Sequence, residues 1–203
     1  MESYIDIQIL PNPEIAAPVV MNGLFYRLHL RLAASELQVG VSFPQYRMGD
    51  EASAGSLGSL LRLHGQRGDL AKLDVQTTMG EFCDYTFVGE ISDVPGAVSE
   101  YASFVRKHCK SMRDVDRKRR YLLKKANGEW NDVAQESLRR FMEKLHCTLP
   151  FVHLASHSSK PAEGETQNSF HLFIAKEAGP RRNGSVTRYG LSDPQNKMSM
   201  PIF

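Results

Sequence analysis

The sequence is poor in the features that mark several large protein classes. It holds three cysteines and one tryptophan in 203 residues. Cys83, Cys109 and Cys147 are odd in number, widely spaced and lack a CxxC pair. That argues for reduced thiols in a cytoplasm rather than a disulfide frame, and against a structural metal. No apolar run exceeds Ile15 to Met21, far short of the ~20 residues a membrane span requires, so no membrane partner is expected. The opening Met1-Glu2-Ser3-Tyr4-Ile5-Asp6 is acidic and alternating, which predicts no secretory leader. Net charge is also scarce: 25 Lys+Arg against 23 Asp+Glu leave +2. With 41% hydrophobic and 24% charged residues the composition is that of a globular protein, long enough for one large domain or two small ones.

The charge is unevenly spread. Ten basic residues lie between Arg106 and Lys125, opposed only by Asp114 and Asp116, a local +8 on a remainder of −6. A basic island on an acidic body suits a polyanion. At ~100° per residue, Arg113, Arg117, Arg120 and Lys124 share one stripe, ~60° wide, of a predicted helix. Val115, Leu122 and Ala126 fall opposite and can anchor it. The stripe is ~16 Å long at 1.5 Å per residue. Like charges in line repel unless neutralised, and phosphates, gripped by the guanidinium fork, are the natural partner.

Periodicity predicts an α+β chain. Tyr4 to Leu10 reads as a strand with Ile5, Ile7 and Ile9 on one face. Pro11-Asn12-Pro13-Glu14 breaks it and opens a helix to about Ala34, with Val20, Met21, Leu24, Phe25, Leu28 and Leu32 inward. Strands follow at Leu37 to Phe43 and near Leu60 to His64, then a short helix over Gly68 to Thr77 and a strand over Phe82 to Ile91. The order βαββαβ is the ferredoxin-like (RRM-like) arrangement, a fold that hosts many functions. A boundary is expected near Pro95-Gly96, giving domains 1–96 and 97–203. The second, smaller α+β domain would hold an extended piece over Ala102 to His108, the basic helix, and a helix from about Asp132 to His146 with Val133, Leu138, Phe141, Met142 and Leu145 near helical spacing. Strands over Leu149 to Leu154 and Phe170 to Ile174 would complete it, with a polar loop, Ser156 to Ser169, between them.

Seven histidines form no HxH or HExxH pair. His29 falls roughly 90° from the centre of the apolar stripe of its helix, half shielded yet reachable. Ser156 and Ser158 follow a strand at the start of a loop, and Tyr189 reads as a half-buried aromatic. No nucleophile elbow, Walker loop or two-metal carboxylate cluster is visible.

Taken together, the chain resembles, over nearly its whole length, the repeat-processing endoribonucleases of type I-F CRISPR systems (the Csy family). The pieces that carry the likeness are Tyr4-Ile5-Asp6-Ile7, Met21 to His29, Gly40-Val41-Ser42-Phe43-Pro44 and the basic helix after Lys110-Ser111. Leu149-Pro150-Phe151-Val152, Ser156-x-Ser158, Phe170-x-Leu172-Phe173-Ile174 and Tyr189-Gly190-Leu191-Ser192 follow in order. The resemblance implies a ferredoxin-like domain, an arginine-rich helix, and binding of the stem-loop of the CRISPR repeat. It also implies metal-independent cleavage at the 3′ base of the stem, a 2′,3′-cyclic phosphate, no cofactor, and retention of the mature crRNA within the interference complex beside its other subunits. By position it assigns catalysis to His29, Ser156 and Tyr189, and base stacking under the stem to Phe170. RNA contacts would come from Arg106, His108, Arg113, Arg117, Lys118, Arg119, Arg120, Lys124 and Ser158.

One departure stands out: His108 replaces the glutamine of the family's Arg-x-Gln pair, while Arg106 keeps the fork that grips a guanine O6/N7 edge. Two other readings compete. One is a hairpin-binding structural subunit without turnover. The other is a generic RRM-type binder, disfavoured because the first strand offers one aromatic, Tyr4, and the third none.

Overall fold

The computed structural model describes residues 1–50, 52–143, 145, 147–156 and 168–203, with Arg113, Ser156 and Asn168 described at the backbone alone. The described residues form a mixed α+β structure with two antiparallel sheets and five α-helices. They divide into two compact units, residues 1–107 with 149–203, and residues 108–148.

In the larger unit, β1 (Ser3–Ile9) buries Ile5, Ile7 and Ile9, the period-two alternation of a half-buried strand. α1 (Ala17–Ala33) follows with Pro18 in its first turn, where an N–H has no helical partner to lose. Val20, Met21, Leu24, Phe25, Leu28 and Leu32 recur at helical spacing and are all buried, each such Leu or Phe contributing about 1.5–3 kcal/mol. β2 (Gly40–Ser42), β3 (Leu60–Gly65) and β4 (Thr86–Val88) complete a sheet of order β2-β3-β1-β4, to which β5 (Ser92–Asp93) adds beside the start of β1. All these pairs are antiparallel, with Ile5 opposite Leu63 and Val41 opposite Leu63 on its other side.

Two predicted elements came out differently. The helix expected over 68–77 is split into α2 (Arg67–Leu73) and α3 (Val75–Met79), because Asp74 takes φ 46° and its carboxylate accepts the Thr77 N–H. The strand expected over 82–91 is a 3-10 turn through Tyr85 followed by the three residues of β4. Phe82 packs there against Gly23 of α1, where any Cβ would lie 2.1 Å from the ring.

Residues 94–99 lead to the second sheet, β6 (Glu100–Lys107), β7 (Phe151–Ser156), β8 (Asn168–Gly179) and β9 (Met200–Ile202), ordered β7-β8-β6-β9. One core joins both sheets around α1, taking in Leu24, Phe25, Phe43, Phe104, Val152, Leu154, Leu172 and Ile174. The Phe43 and Phe104 rings lie 5.5 Å apart and the Tyr46 hydroxyl donates to the Ile174 carbonyl. Arg62 ties the first sheet to the C-terminus. It donates to both Asp6 carboxylate oxygens at 2.6 and 2.9 Å and to the Phe203 carbonyl at 2.9 Å. A guanidinium this buried is tolerated because its donors are met.

The smaller unit is a helical pair. α4 (Met112–Lys125) starts at Ser111, whose N–H and hydroxyl both donate to the Asp114 carboxylate. It ends at a turn in which Asn127 and Gly128 take positive φ. α5 (Asp132–Met142) is capped by Asn131, which accepts the Ala134 N–H at 2.9 Å. Ala134 is buried on this helix, whereas Val133, which shares its apolar spacing with Leu138 and Phe141, is 78% exposed. The helix also stops at Met142, short of the expected His146. The thiols also differ from expectation: Cys109 and Cys147 form a disulfide closing the two ends of the unit, and only Cys83 is free.

Candidate RNA-cleavage and RNA-binding sites

In the larger unit, four residues from four segments meet. His29 is on the exposed edge of α1, half-buried as the helical wheel predicts. Its Nδ1 lies 2.9 Å from the Arg188 carbonyl oxygen. A carbonyl only accepts, so Nδ1 carries the proton and, in the neutral ring, Nε2 is left with a free lone pair. The Tyr189 ring stacks on the imidazole, centroids 4.0 Å apart and planes 16° from parallel. The Arg106 guanidinium sits 5.9 Å from the Tyr189 centroid and 5.6 Å from that of Phe170.

The turn that delivers Tyr189 depends on Gly190. The Thr187 N–H bonds the Leu191 carbonyl, the Gly190 N–H bonds the Thr187 carbonyl, and the Gly190 carbonyl accepts the Val41 N–H at 2.8 Å. Gly190 has φ +71°, and a Cβ there would lie 2.5 Å from Val41 Cγ2, so conformation and space both demand glycine. Ser156 ends β7 opposite Asn168, two residues beyond Leu154, the partner of Phe170. Ser158 lies outside the described residues. A base with a free lone pair beside a fixed cation and two ring faces is equipped to act on an anionic ester that carries an aromatic group.

The smaller unit carries the basic island. Arg117, Arg119, Arg120 and Lys124 are exposed on α4, Val115 and Leu122 are buried opposite, and Lys118 is half-buried. Arg113 takes its place in the helix at the backbone. Among the described residues one ion pair forms along α4, Arg117 with Asp114 at 3.2 Å. α5 is different: Glu136 holds both Arg139 and Arg140, which pull its carboxyl down to about 2. Arg139 and Arg140 on α5 are thus paired within their own helix, whereas on α4 Arg117 alone is ion-paired among the described cations of the stripe. His108 is exposed, with Nδ1 3.2 Å from the Cys109 carbonyl.

A family model described as CRISPR-associated protein (Cas_Csy4) matches residues 4–203. The chain belongs to the CRISPR-associated Csy4 family. Two curated relatives are similar to it along nearly their whole length. The CRISPR-associated endonuclease Cas6/Csy4 of Pseudomonas aeruginosa (strain UCBPP-PA14) is 32% identical over 200 residues, covering 95% of this chain and 96% of the relative. That of Escherichia coli (strain UTI89 / UPEC) is 29% identical over 197 residues, with the same coverage.

Sequence reasoning missed three features of this Csy4-family chain. The Arg188 carbonyl that fixes the His29 tautomer is a backbone atom and leaves no residue-type signal. The Cys109–Cys147 link was hidden by a separation of 38 residues. Of the rings beside cations in the helical pair, Tyr121 could have been found from the Lys118-x-x-Tyr121 spacing, which puts a cation and a ring on one helical face, whereas Phe141 on α5 meets Lys110 across 31 residues.

Proposed function

We propose that this chain is an endoribonuclease that binds the stem-loop of CRISPR repeats in precursor crRNA and cuts at the 3′ base of the stem. The observation that carries the reading is the His29 imidazole held through Nδ1 with Nε2 free, stacked on Tyr189 beside Arg106. The names of the relatives, CRISPR-associated endonucleases, support it.

In this reading Nε2 of His29 takes the proton of the 2′-OH as that oxygen attacks the adjacent phosphorus. The new 2′-O–P bond forms in line as the P–O5′ bond breaks, and the proton passes to the departing 5′ oxygen. The products are a 2′,3′-cyclic phosphate and a 5′-hydroxyl, with no metal required. Ser156 holds the 2′-OH in attack geometry, an orientation effect that supplies several kcal/mol. Tyr189 keeps the imidazole plane fixed, Arg106 grips a guanine edge, and Phe170 stacks under the terminal base pair. Arg113, Arg117, Arg119, Arg120 and Lys124, with Lys118, His108 and Ser158, bind the folded strand.

The first sheet, with its order β4-β1-β3-β2, is read as ferredoxin-like. Residues 1–96 supply the histidine helix, and residues 97–203 supply the arginine-rich helix, serine and tyrosine. The protein is read as acting in the bacterial cytoplasm on its family membership rather than on its thiols, two of which are linked; it keeps the mature crRNA and joins the other subunits of the type I-F interference complex. Incubation of a repeat hairpin in EDTA, with end-group analysis, tests the reading. A cyclic phosphate end is expected. Tight binding without any cutting would leave a structural hairpin-binding subunit instead.

A further inference from the structure

Between α4 and α5 lies an open cleft of about 540 Å³ that joins three residues read above as RNA contacts, His108, Arg117 and Lys118, to four that have no assigned role. Its walls set cations beside rings: Lys110, Arg117 and Lys118 with Tyr121, Phe141 and the His108 imidazole, and Asp114 as the carboxylate. The Lys110 ammonium sits 4.3 Å from the Phe141 centroid and that of Lys118 5.4 Å from the Tyr121 centroid. Asp114 is already engaged by Ser111 and Arg117, which hold its carboxyl below the ordinary range. Three cations against one committed carboxylate leave the cleft positive. We propose that this cleft holds one unpaired nucleotide of the bound RNA, its base against Tyr121 and Phe141 and its phosphate between Lys110 and Lys118.

The volume falls in the range of small-molecule sites. Ammonium groups resting on solvent-exposed rings are held weakly, so a phosphate can draw them off and leave the ring faces to the base. A paired base already has neighbours on both faces and cannot enter, which restricts the occupant to a loop or flanking nucleotide. Tyr121 is 57% exposed, so its ring is available without rearrangement of the helix.

The inference rests on the RNA-binding reading above, and one pair of substrates separates them. One RNA is a repeat hairpin with 2-aminopurine at each unpaired position in turn. The other is a blunt duplex of the same stem. Wild type should quench 2-aminopurine at one position. The full chain with Tyr121→Leu and Phe141→Leu should lose that quenching and bind the hairpin about 5- to 150-fold more weakly, the span of one base stack, while binding the duplex like wild type. Should the double variant fold poorly by Trp130 fluorescence, Tyr121→Leu alone, at an exposed site, carries the test. Equal loss on both RNAs, or no quenched position, overturns the cleft alone. A wild type that ignores both RNAs overturns the functional reading and the cleft with it.

Discussion

Replacing His64 with glutamine should flatten the acid side of the stability profile. His64 is fully buried in β3, its Nε2 2.8 Å from the Ser42 hydroxyl, and among the described residues its Nδ1 has no hydrogen-bond partner. Burial foremost, then the Arg62 cation and the N-terminal ammonium, push its pKa from the ordinary 6.5 down to about 3. The unfolded chain therefore takes up a proton as pH falls through 6.5, and the folded chain does not until about 3. In that window the unfolded state binds more protons, so the folded state loses about 1.4 kcal/mol per pH unit. Integrated from pH 7 to pH 5, with the unfolded group at its ordinary value, the loss is about 2 kcal/mol. Glutamine places an amide where Nε2 was and cannot titrate, so His64→Gln should lose about 2 kcal/mol less than wild type over the same interval. Urea unfolding at the two pH values reads this by far-UV circular dichroism, since Trp130 lies in the other unit. The comparison uses the pH dependence, which is insensitive to a lower starting stability of the variant. Parallel profiles for the two proteins would show that the imidazole protonates within the fold and would refute the reasoning.

Three further outcomes follow from the same geometry. Gly190→Ala forces a side chain into left-handed backbone against Val41. It should displace Tyr189 and slow RNA cutting at least tenfold while binding of the hairpin persists; an unchanged rate would mean the turn does not position the ring. Opening the Cys109–Cys147 link, by Cys109→Ser or by reductant, removes a constraint on a loop of 38 residues, worth about 4 kcal/mol in the chain-entropy account. The Trp130 unfolding midpoint should fall accordingly, and an unmoved midpoint would argue that the helical pair is stable without it. Arg117, Arg120 and Lys124 changed together to alanine should lower the salt slope of RNA binding by roughly 0.7–0.9 log units per lost phosphate contact, which titrations at several salt concentrations would show; an unaltered slope dismisses the stripe.

How far the sequence could be read depended on whether a segment answers to its own period or to a distant neighbour. β1 and α1 were legible because Ile5, Ile7 and Ile9 alternate and Leu24, Leu28 and Leu32 recur every four residues, and both faces are buried as patterned. The buried anchors of α4, Val115 and Leu122, were legible for the same reason. The run Phe82 to Tyr85 has strand composition but winds into a turn, because Phe82 fits the gap left by Gly23, 59 positions earlier. On α5, apolar spacing groups Val133 with Leu138 and Phe141, yet Val133, in the first turn beside the Asn131 cap, lies in solvent. At the site, the residue types His29, Tyr189, Arg106 and Phe170 could be named, but the tautomer of His29 depends on a carbonyl 159 residues away, which no local pattern announces.

Cutting of a repeat hairpin by His29→Ala in EDTA, followed beside its binding, is the most direct measurement of the role of the imidazole. With the imidazole as base, the variant should bind within a few-fold of wild type and cut about 10²- to 10⁴-fold more slowly. A variant that cuts at the wild-type rate, or one that loses binding and cutting in equal measure, would contradict it.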